Sequence, residues 1–192
     1  EDDQQLPRLL DYGPRGLDLL ASDGVKIGPG RFNQGAYFGG GKAHAANPNY
    51  GLQTEELTYD FWIKPEGDLK QSCGIIFSTY RNPKRADNSI VLLPNGQIGL
   101  SVGGNVTQNR TPIKPDEWTR VTITISVKSK RTRFYLNGKL DVEYPFAWHY
   151  PHGRLSFGNP YPAEVDGTLW SLAQSFRGIL DEFQVLAREW TP

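Results

Sequence analysis

Paired carboxylates are the first residues in this sequence that could do chemistry, because a general acid and a nucleophile or base are commonly two such groups. Glu164 and Asp166 have the spacing E-x-D but lie in a segment predicted to be a loop. Asp181 and Glu182 are adjacent, and neighbouring residues of a strand point to opposite faces. Neither pair is therefore placed as a catalytic pair would be.

Histidines are the second candidates, as metal ligands or catalytic bases. His149 and His152 could reach one metal ion, but Pro151 breaks regular structure between them, and no cysteine or carboxylate completes a ligand set nearby. The sequence has no G-x-S-x-G motif for a serine nucleophile. Its glycine run at 39–41, followed by Lys42, lacks the spacing of a phosphate-binding loop.

Aromatic rings beside planar polar groups are the third kind of candidate, because rings cover the apolar faces of sugars while polar groups bond the hydroxyls. The first such set lies mainly in predicted loops and comprises Trp148, His149, Tyr150, Tyr161 and Trp170, with Tyr80 and Arg81. The second set is predicted to line the exposed face of a hairpin and comprises Arg120, Thr122, Thr124, Arg133 and Tyr135. Of this second set, Arg133 and Tyr135 are the predicted ligand-binding residues.

The stretch 118–138 must position the second set. Apolar and polar residues alternate from 120 to 127 and again from 131 to 136, which is the period of strands with one buried face. A short polar turn at 128–130 joins these runs into a hairpin. Asn137-Gly138 then tolerates positive φ at both centres of a type I′ turn, so residues 139–142 are predicted to form a third antiparallel strand.

Other alternating or apolar runs predict further strands. They lie at 17–21, 36–38, 57–64, 73–79, 90–93, 98–102, 155–157 and 178–186. In the last of these, Phe183 and Val185 are predicted to share one face with Asp181. Residues 44–54 are predicted to be a loop, and two glycosylation sequons at 105–107 and 109–111 are also predicted to lie in a loop.

Composition restricts the class of protein. The 192 residues include 21 Gly and 14 Pro, typical of many short strands and turns. Lys plus Arg and Asp plus Glu both number 21, which argues against nucleic-acid binding. No apolar run approaches a membrane span, so no membrane insertion is predicted. Cys73, the only cysteine, excludes an internal disulfide and is predicted to be buried.

The predicted organisation is a tail or linker at 1–14 followed by one domain at 15–192. The sequence contains no Met, even at position 1, which predicts a segment of a longer polypeptide.

Five short motifs in a particular order resemble a known family. They are G-R-F-x-x-G-A-Y-F at 30–38, Y-D-F-W-I-K-P at 59–65, E-W-T-R-V-T at 117–122, F-Y-L-N-G-K at 134–139 and F-R-G-I-L-D-E-F at 176–183. Their order and spacing are similar to those of laminin-G-like, concanavalin-A-like lectin and glucanase domains over nearly the whole chain. The resemblance implies an all-β fold, an antiparallel two-sheet sandwich of the jelly-roll type.

The resemblance also bears on catalysis and metal binding. Glucanases of this fold carry E-x-D-x-x-E on one strand, but here Leu169 replaces the last carboxylate after Glu164 and Asp166. The motifs of alginate-lyase-like jelly rolls are not visible. Laminin-G-like domains often hold a structural Ca²⁺, and by that resemblance its ligands here are Asp23 and Asp181. Turn formation by Asp23 and strand-end hydrogen bonding by Asp181 are the alternative roles.

Three functional hypotheses follow from the resemblance. The first is a non-catalytic, lectin-like module of a larger secreted or periplasmic protein, which binds a glycan or polysaccharide, alone or as an accessory to a glycan-active enzyme. The second is a protein-interaction or structural sandwich domain whose partner is another extracellular protein. The third is a divergent polysaccharide-cleaving enzyme. A fold does not identify a ligand, so all three stay open at this point.

Overall fold

The structure, a computed structural model, describes residues 8–10, 18–47, 54–82, 85–102, 105–145, 154–158, 175–190 and 192, with the backbone alone at 80–82 and 85–87. It contains two antiparallel sheets, of eight and seven strands, packed face to face. The expected all-β jelly-roll sandwich is confirmed. Among the described residues, the only helix is α1 (Leu69–Ser72), which begins after the N-cap residue Asp68.

Within each sheet the strands are named in spatial order, so that neighbours in the series are hydrogen-bonded to each other. The eight-stranded sheet consists of β1 (Arg8–Leu9), β2 (Leu19–Ala21), β5 (His44–Asn47), β14 (Arg154–Gly158), β7 (Gly74–Asn82), β8 (Arg85–Leu92), β9 (Ile98–Val102) and β10 (Asn105–Gln108). The seven-stranded sheet consists of β13 (Lys139–Tyr144), β12 (Arg131–Leu136), β11 (Thr119–Ser126), β6 (Glu56–Pro65), β15 (Arg177–Leu186), β4 (Gln34–Gly39) and β3 (Val25–Pro29). No helix in the described part of the chain is long and apolar enough to cross a membrane.

One continuous core fills the space between the sheets. Every second residue of β6 points into it, and Tyr59, Phe61 and Ile63 are completely buried. Phe183 from β15 joins the two layers, because its ring lies 5.0 Å from that of Phe61 and 5.1 Å from that of Phe77 in the opposite sheet. Stacked rings of this kind add to the free energy gained by burying apolar area.

The predicted meander is confirmed. Strand β11 pairs with β12, Val121 opposite Leu136, and β12 pairs with β13. Asn137 and Gly138 both have positive φ, 49° and 79°, as the type I′ turn requires. The strand pattern therefore fixes the centre of the seven-stranded sheet.

The predicted loop at 44–54 is wrong at its start, because residues 44–47 form strand β5 between β2 and β14. The sequence His-Ala-Ala-Asn has weak strand propensity, and its pairing with two neighbouring strands overrides that preference. Strand β1, within the segment predicted to be a tail, pairs with β2 at the edge of the same sheet.

The predicted loop location is wrong for the first sequon, whereas the second, at 109–111, does lie outside the strands. Asn105 is exposed but lies in strand β10 at the edge of the eight-stranded sheet. Asn109 is completely buried: its Oδ1 accepts a hydrogen bond from the backbone N–H of Ile98 at 2.6 Å, and its Nδ2 donates to the carbonyl oxygen of Thr111. In the folded protein the Asn109 amide is therefore occupied by structural hydrogen bonds.

The predicted alternation in the last strand fails at Asp181. The pairing of β15 with β6 is interrupted between Asp181 and Gln184, where Glu182 has φ of 50°. This β-bulge inserts an extra residue and reverses the alternation. Asp181 therefore lies opposite Trp62 on the outer face, while Phe183 points into the core.

Candidate functional site

The candidate site lies on the outer face of the seven-stranded sheet, the face turned away from the core. Trp62 is at its centre, on β6 between the core residues Phe61 and Ile63. It pairs with Arg120 of β11 on one side and Asp181 of β15 on the other. Directly opposed side chains in a sheet lie within about 5.5 Å at Cβ, so these three residues are neighbours.

A tight loop between β3 and β4 places Arg31 and Phe32 over Trp62. The backbone N–H of Gly30 bonds the carbonyl oxygen of Asn33, whose φ is 53°. The rings of Phe32 and Trp62 are 5.8 Å apart at 81°, an edge-to-face contact. The Arg31 guanidinium carbon lies 5.4 Å from the centre of the Phe32 ring and 5.1 Å from that of Trp62. Phe32 nevertheless remains 46% exposed.

Asp181 anchors this loop. One carboxylate oxygen, Oδ2, accepts a hydrogen bond from the backbone N–H of Phe32 at 2.8 Å, and Oδ1 accepts one from the backbone N–H of Glu182 at 2.9 Å. A Cβ on Gly30 would lie 2.5 Å from Oδ2, so only glycine lets the loop approach this closely. Asp181 is itself 94% buried, with 6% of its surface exposed. Its position makes it a hydrogen-bond acceptor that orients Arg31 and Phe32.

Arg120 brings a second tryptophan to the same face. Its guanidinium donates two hydrogen bonds to Asp60, from Nε at 3.1 Å and from Nη2 at 2.9 Å. Thr122 donates a further hydrogen bond to Asp60 Oδ1 at 2.6 Å. The Arg120 guanidinium carbon lies 5.0 Å from the centre of the Trp190 ring. We call Arg31, Phe32, Trp62, Arg120 and Trp190 the aromatic–arginine patch.

The chain near its C-terminal end holds Trp190 in place. The Thr58 hydroxyl donates to the carbonyl oxygen of Arg188 at 2.8 Å and accepts from the backbone N–H of Trp190 at 3.0 Å. Glu189 forms an ion pair with Arg133. Residues 188–190 therefore cross the outer faces of β6, β11 and β12.

This crossing corrects the prediction that the polar face of the central hairpin is exposed. Thr122 and Thr124 are fully buried, and Tyr135 is only 8% exposed. The pKa of Tyr135 is raised, chiefly because burial disfavours the phenolate. Arg133 bonds Glu143 at 2.6 Å as well as Glu189, and the Glu143 hydrogen bond is the main cause of the raised Arg133 pKa. Ligand binding by Arg133 and Tyr135 stays a prediction.

The first predicted binding set cannot be placed. Trp148, His149, Tyr150, Tyr161 and Trp170 lie outside the residues that the structure describes. Tyr80 and Arg81 lie in strand β7, but their side chains are not described. The described part of the chain thus assigns this set no position relative to the aromatic–arginine patch.

The two predicted calcium ligands lie apart. Asp23 is exposed in the turn before Val25, whereas Asp181 lies beside Gly30, past the far end of β3. Strand β3 has five residues and is therefore roughly 13 Å long. Within the described residues, no three His, Cys, Asp or Glu side chains gather as metal ligands. Because both Asp181 oxygens already accept hydrogen bonds, this pair does not fit a shared calcium site.

Asparagine at position 181 tests the anchoring role. Because only one of its side-chain atoms can accept, one backbone N–H loses its partner, and we expect Asp181→Asn to lower the free energy of unfolding by about 1–3 kcal/mol. Urea unfolding in calcium chloride and in EGTA measures this, and the loss should be equal in both. Asp23→Asn, in the exposed turn, is the matched control and should leave stability unchanged. If EGTA destabilises the unsubstituted protein as much as Asp181→Asn does, Asp181 is a calcium ligand instead.

The sequence patterns do not predict the patch as a unit. Arg120 is a predicted outward residue, but Arg31, Phe32, Trp62 and Trp190 are not among the predicted site residues. The available signal was Trp62 at a polar-face position between Asp60 and Lys64. A large apolar ring at such a position must be covered by another element or be available to a ligand. No pattern in the sequence indicates that Phe32 and Trp190 approach it.

The fold places the chain in the class of β-sandwich domains, and comparison with family models identifies the family within that class. Residues 38–192 match the Laminin_G_3 model of the concanavalin A-like lectin/glucanases superfamily, and the chain belongs to this family. A search of curated proteins gave no significant match.

Solved structures with the same fold include three that are informative. Domain 4 of an extracellular arabinanase from Geobacillus stearothermophilus, in complex with arabinotriose, is 17% identical with a TM-score of 0.59 over 85% of this chain and 75% of that chain. The botulinum neurotoxin serotype D ligand-binding domain, in complex with N-acetylneuraminic acid, is 15% identical with a TM-score of 0.66, over 98% of this chain and 48% of that one.

The third is a heptameric pentraxin from Limulus polyphemus, 21% identical with a TM-score of 0.57 over 77% of this chain and 71% of the pentraxin. At these identities the structural matches establish a common fold and nothing about the ligand. The chain spans just under half of the toxin domain.

Proposed function

We propose that this protein is a non-catalytic carbohydrate-binding module that holds its glycan on the aromatic–arginine patch. The observation that carries the proposal is the cluster of exposed Phe32 and Arg31 with half-buried Trp62 on the outer face of the sheet. These rings lie outside the core, and the core of the sandwich is complete without them. They combine flat apolar surfaces with planar donors, which is what sugar binding requires.

The patch is held in place before any ligand arrives. Trp62 and Arg120 are on central strands, the Arg31–Phe32 loop is anchored by Asp181, and Trp190 is bound through its backbone to Thr58. A ligand that binds such a surface orders few side chains, so less free energy is lost to conformational entropy. The fixed positions of these residues are therefore more typical of a binding site than of a chance cluster of surface side chains.

The state of the carboxylates supports a non-catalytic role. Asp60 and Asp181 lie on the two strands at the centre of the patch, and both are nearly buried. Asp60 accepts hydrogen bonds from Arg120 and Thr122, and both oxygens of Asp181 accept backbone N–H groups. A glycosidase needs one acid that can donate a proton and a second that can attack or activate water. Groups engaged in this way are poorly placed for either task.

The related folds add support of a general kind. One relative was solved with arabinotriose and another with N-acetylneuraminic acid, and those ligands belong to those proteins. Their common feature with this chain is the sandwich, on which a sugar site can be built. The transfer of glycan binding to this protein is part of the proposal.

A protein-interaction module is the second candidate, and the same patch favours it. Tryptophan and arginine are enriched among the residues that dominate protein–protein binding energy. Under this alternative, Trp62→Ala would abolish partner capture while no glycan binds.

Replacing Trp62 by alanine tests the proposed function. We expect Trp62→Ala to weaken glycan binding at least tenfold, or about 1.4 kcal/mol, because the ring is the central contact surface. A glycan array of the unsubstituted protein identifies the ligand, and titration calorimetry with that ligand measures the loss.

Leu140→Ala is the matched control for this experiment. Leu140 is exposed on strand β13 of the same sheet, away from the patch, and its removal should not change affinity. An array without hits would contradict glycan binding. Release of reducing ends from any bound polysaccharide would contradict the non-catalytic part of the proposal.

A further inference from the structure

We infer that the aromatic–arginine patch is selective for anionic sugar units, those with a carboxylate or sulfate group, over neutral ones. This inference rests on the proposed function and specifies its ligand class. It comes from the pairing of charges on the outer face of the seven-stranded sheet, where cations exceed the carboxylates available to neutralise them.

Arg31 provides the first part of the argument. Its side chain is exposed and lies against the Phe32 and Trp62 rings, and it forms no ion pair or hydrogen bond within the described residues. Guanidinium has five N–H donors in a planar fork that matches the two oxygens of a carboxylate or sulfate. The contacts with both rings hold the guanidinium beside the patch, where its N–H donors have no partner among the described residues.

The nearby carboxylates are already bound to other groups. Asp181 accepts backbone N–H groups of Phe32 and Glu182, and Asp60 forms its ion pair with Arg120. Neither can turn towards Arg31 without giving up its present hydrogen bonds. Glu182, which follows Asp181 at the bulge of β15, is exposed.

Further cations lie beyond the patch on the same face. Lys64 follows Trp62 by two residues on β6, about 7 Å along the strand, and shares its face. Lys26 of β3 pairs with Tyr37 of β4, and Tyr37 pairs with Ile179 of β15. Ile179 in turn pairs with Lys64 of β6, so the two lysines lie in one row across the sheet. Neither lysine forms an ion pair with any described residue.

The acid two residues after Lys64 is also neutralised. Glu66 accepts hydrogen bonds from Arg177 at 2.9 and 3.1 Å and from the Tyr37 hydroxyl at 2.7 Å. The Arg177 hydrogen bond is the main reason that the pKa of Glu66 is lowered. Among the described residues, Arg31, Lys64 and Lys26 thus form no ion pairs, and the acids Asp181 and Glu66 are already hydrogen-bonded to other groups, although the whole chain has a net charge of zero.

Paired oligosaccharides test this inference directly. Each pair differs only in its anionic group: an oligogalacturonate and its carboxyl-reduced form, sialyllactose and lactose, and a heparin oligosaccharide and its desulfated form. We expect at least one acidic member to bind more than tenfold tighter than its neutral counterpart in titration calorimetry, with affinity falling as sodium chloride is added. The first two pairs test carboxylate, and the third tests sulfate.

Variants at position 31 connect the selectivity to the structure. Arg31→Gln should weaken the acidic ligand about tenfold more than its neutral counterpart, whereas Arg31→Lys should recover part of that difference. Lys128→Gln removes the same charge at the exposed hairpin turn and should change neither affinity. Urea unfolding of each variant shows that the fold is unaffected.

The outcomes separate this inference from the proposed function. Neutral members that bind as tightly as acidic ones would overturn the selectivity and retain glycan binding. An equal loss of both ligands in Arg31→Gln would likewise overturn it, since Arg31 would then act only through stacking. If no member of any pair binds and a glycan array also gives no hits, both proposals fail.

Discussion

Replacing Gly178 by alanine is expected to lower the free energy of unfolding by about 2–6 kcal/mol, a large part of the roughly 5–15 kcal/mol that stabilises a domain. Gly178 lies near the start of β15, paired with Phe38 of β4 and Pro65 of β6. Its φ of 148° is rarely adopted by residues with a side chain. An added Cβ would lie 2.9 Å from Pro65 Cα and still closer to the carbonyl oxygen of Lys64.

The cost is large because the three atoms nearest the new methyl group all belong to the backbone. A flexible side chain could rotate away, but β6 could move only by distorting its pairing with β11 and β15. Two terms therefore add: about 1–3 kcal/mol for the backbone conformation and about 1–3 kcal/mol for overpacking. The denaturant midpoint in urea should fall at unchanged slope.

Gly28→Ala is the matched control for Gly178→Ala. Gly28 lies in strand β3 at the edge of the same sheet, and an added Cβ there meets no atom within 4 Å. Its effect should stay within about 0.5 kcal/mol, as for a surface substitution without special contacts. Equal midpoints for the two variants would mean that the close approach of β15 to β6 is not required for stability.

Replacing Asp60 by alanine is expected to cost about 2–4 kcal/mol. The Asp60 carboxylate is only 5% exposed and accepts hydrogen bonds from Arg120 and Thr122. Its removal leaves a half-buried guanidinium without its carboxylate and a buried hydroxyl without its acceptor. The penalty of such unpaired groups exceeds the net contribution of the original pair.

Asp60→Asn and Glu117→Ala are the comparison variants for this prediction. Asparagine keeps the volume and one acceptor, so its cost should be intermediate. Glu117 pairs with Lys114 at 3.4 Å in a well-exposed ion pair, and its removal should cost no more than about 1 kcal/mol. Thermal and urea unfolding provide the comparison. A loss for Asp60→Ala no greater than that for Glu117→Ala would show that Arg120 finds adequate partners in water.

Both residues also position the aromatic–arginine patch. Gly178 allows β15 to approach β6, which brings Asp181 beside Trp62. Asp60 holds Arg120 against the sheet, where the guanidinium contacts Trp190. Reduced glycan binding in these two variants would therefore come through the scaffold. Trp62→Ala and Arg31→Gln are the variants that test contact with the ligand.

The sequence by itself determined the fold class and the centre of the seven-stranded sheet. Alternation at 121–127 and 131–136 and the Asn137-Gly138 turn are local signals, since a period of two and two positive φ angles do not depend on distant residues. The same local signals placed β6. They failed at His44–Asn47, where pairing with β2 and β14 makes a strand from residues of weak propensity.

Only the tertiary structure decided where the candidate site lies. Phe32 and Trp62 are thirty positions apart in sequence, and Trp190 is farther still. They share one face because a bulge at Glu182 turns Asp181 outward to hold the Arg31–Phe32 loop, and because residues 188–190 cross the strands at Thr58. Each of these contacts is a hydrogen bond between residues more than a hundred positions apart. No local periodicity encodes such contacts, which form only when the sheet is assembled.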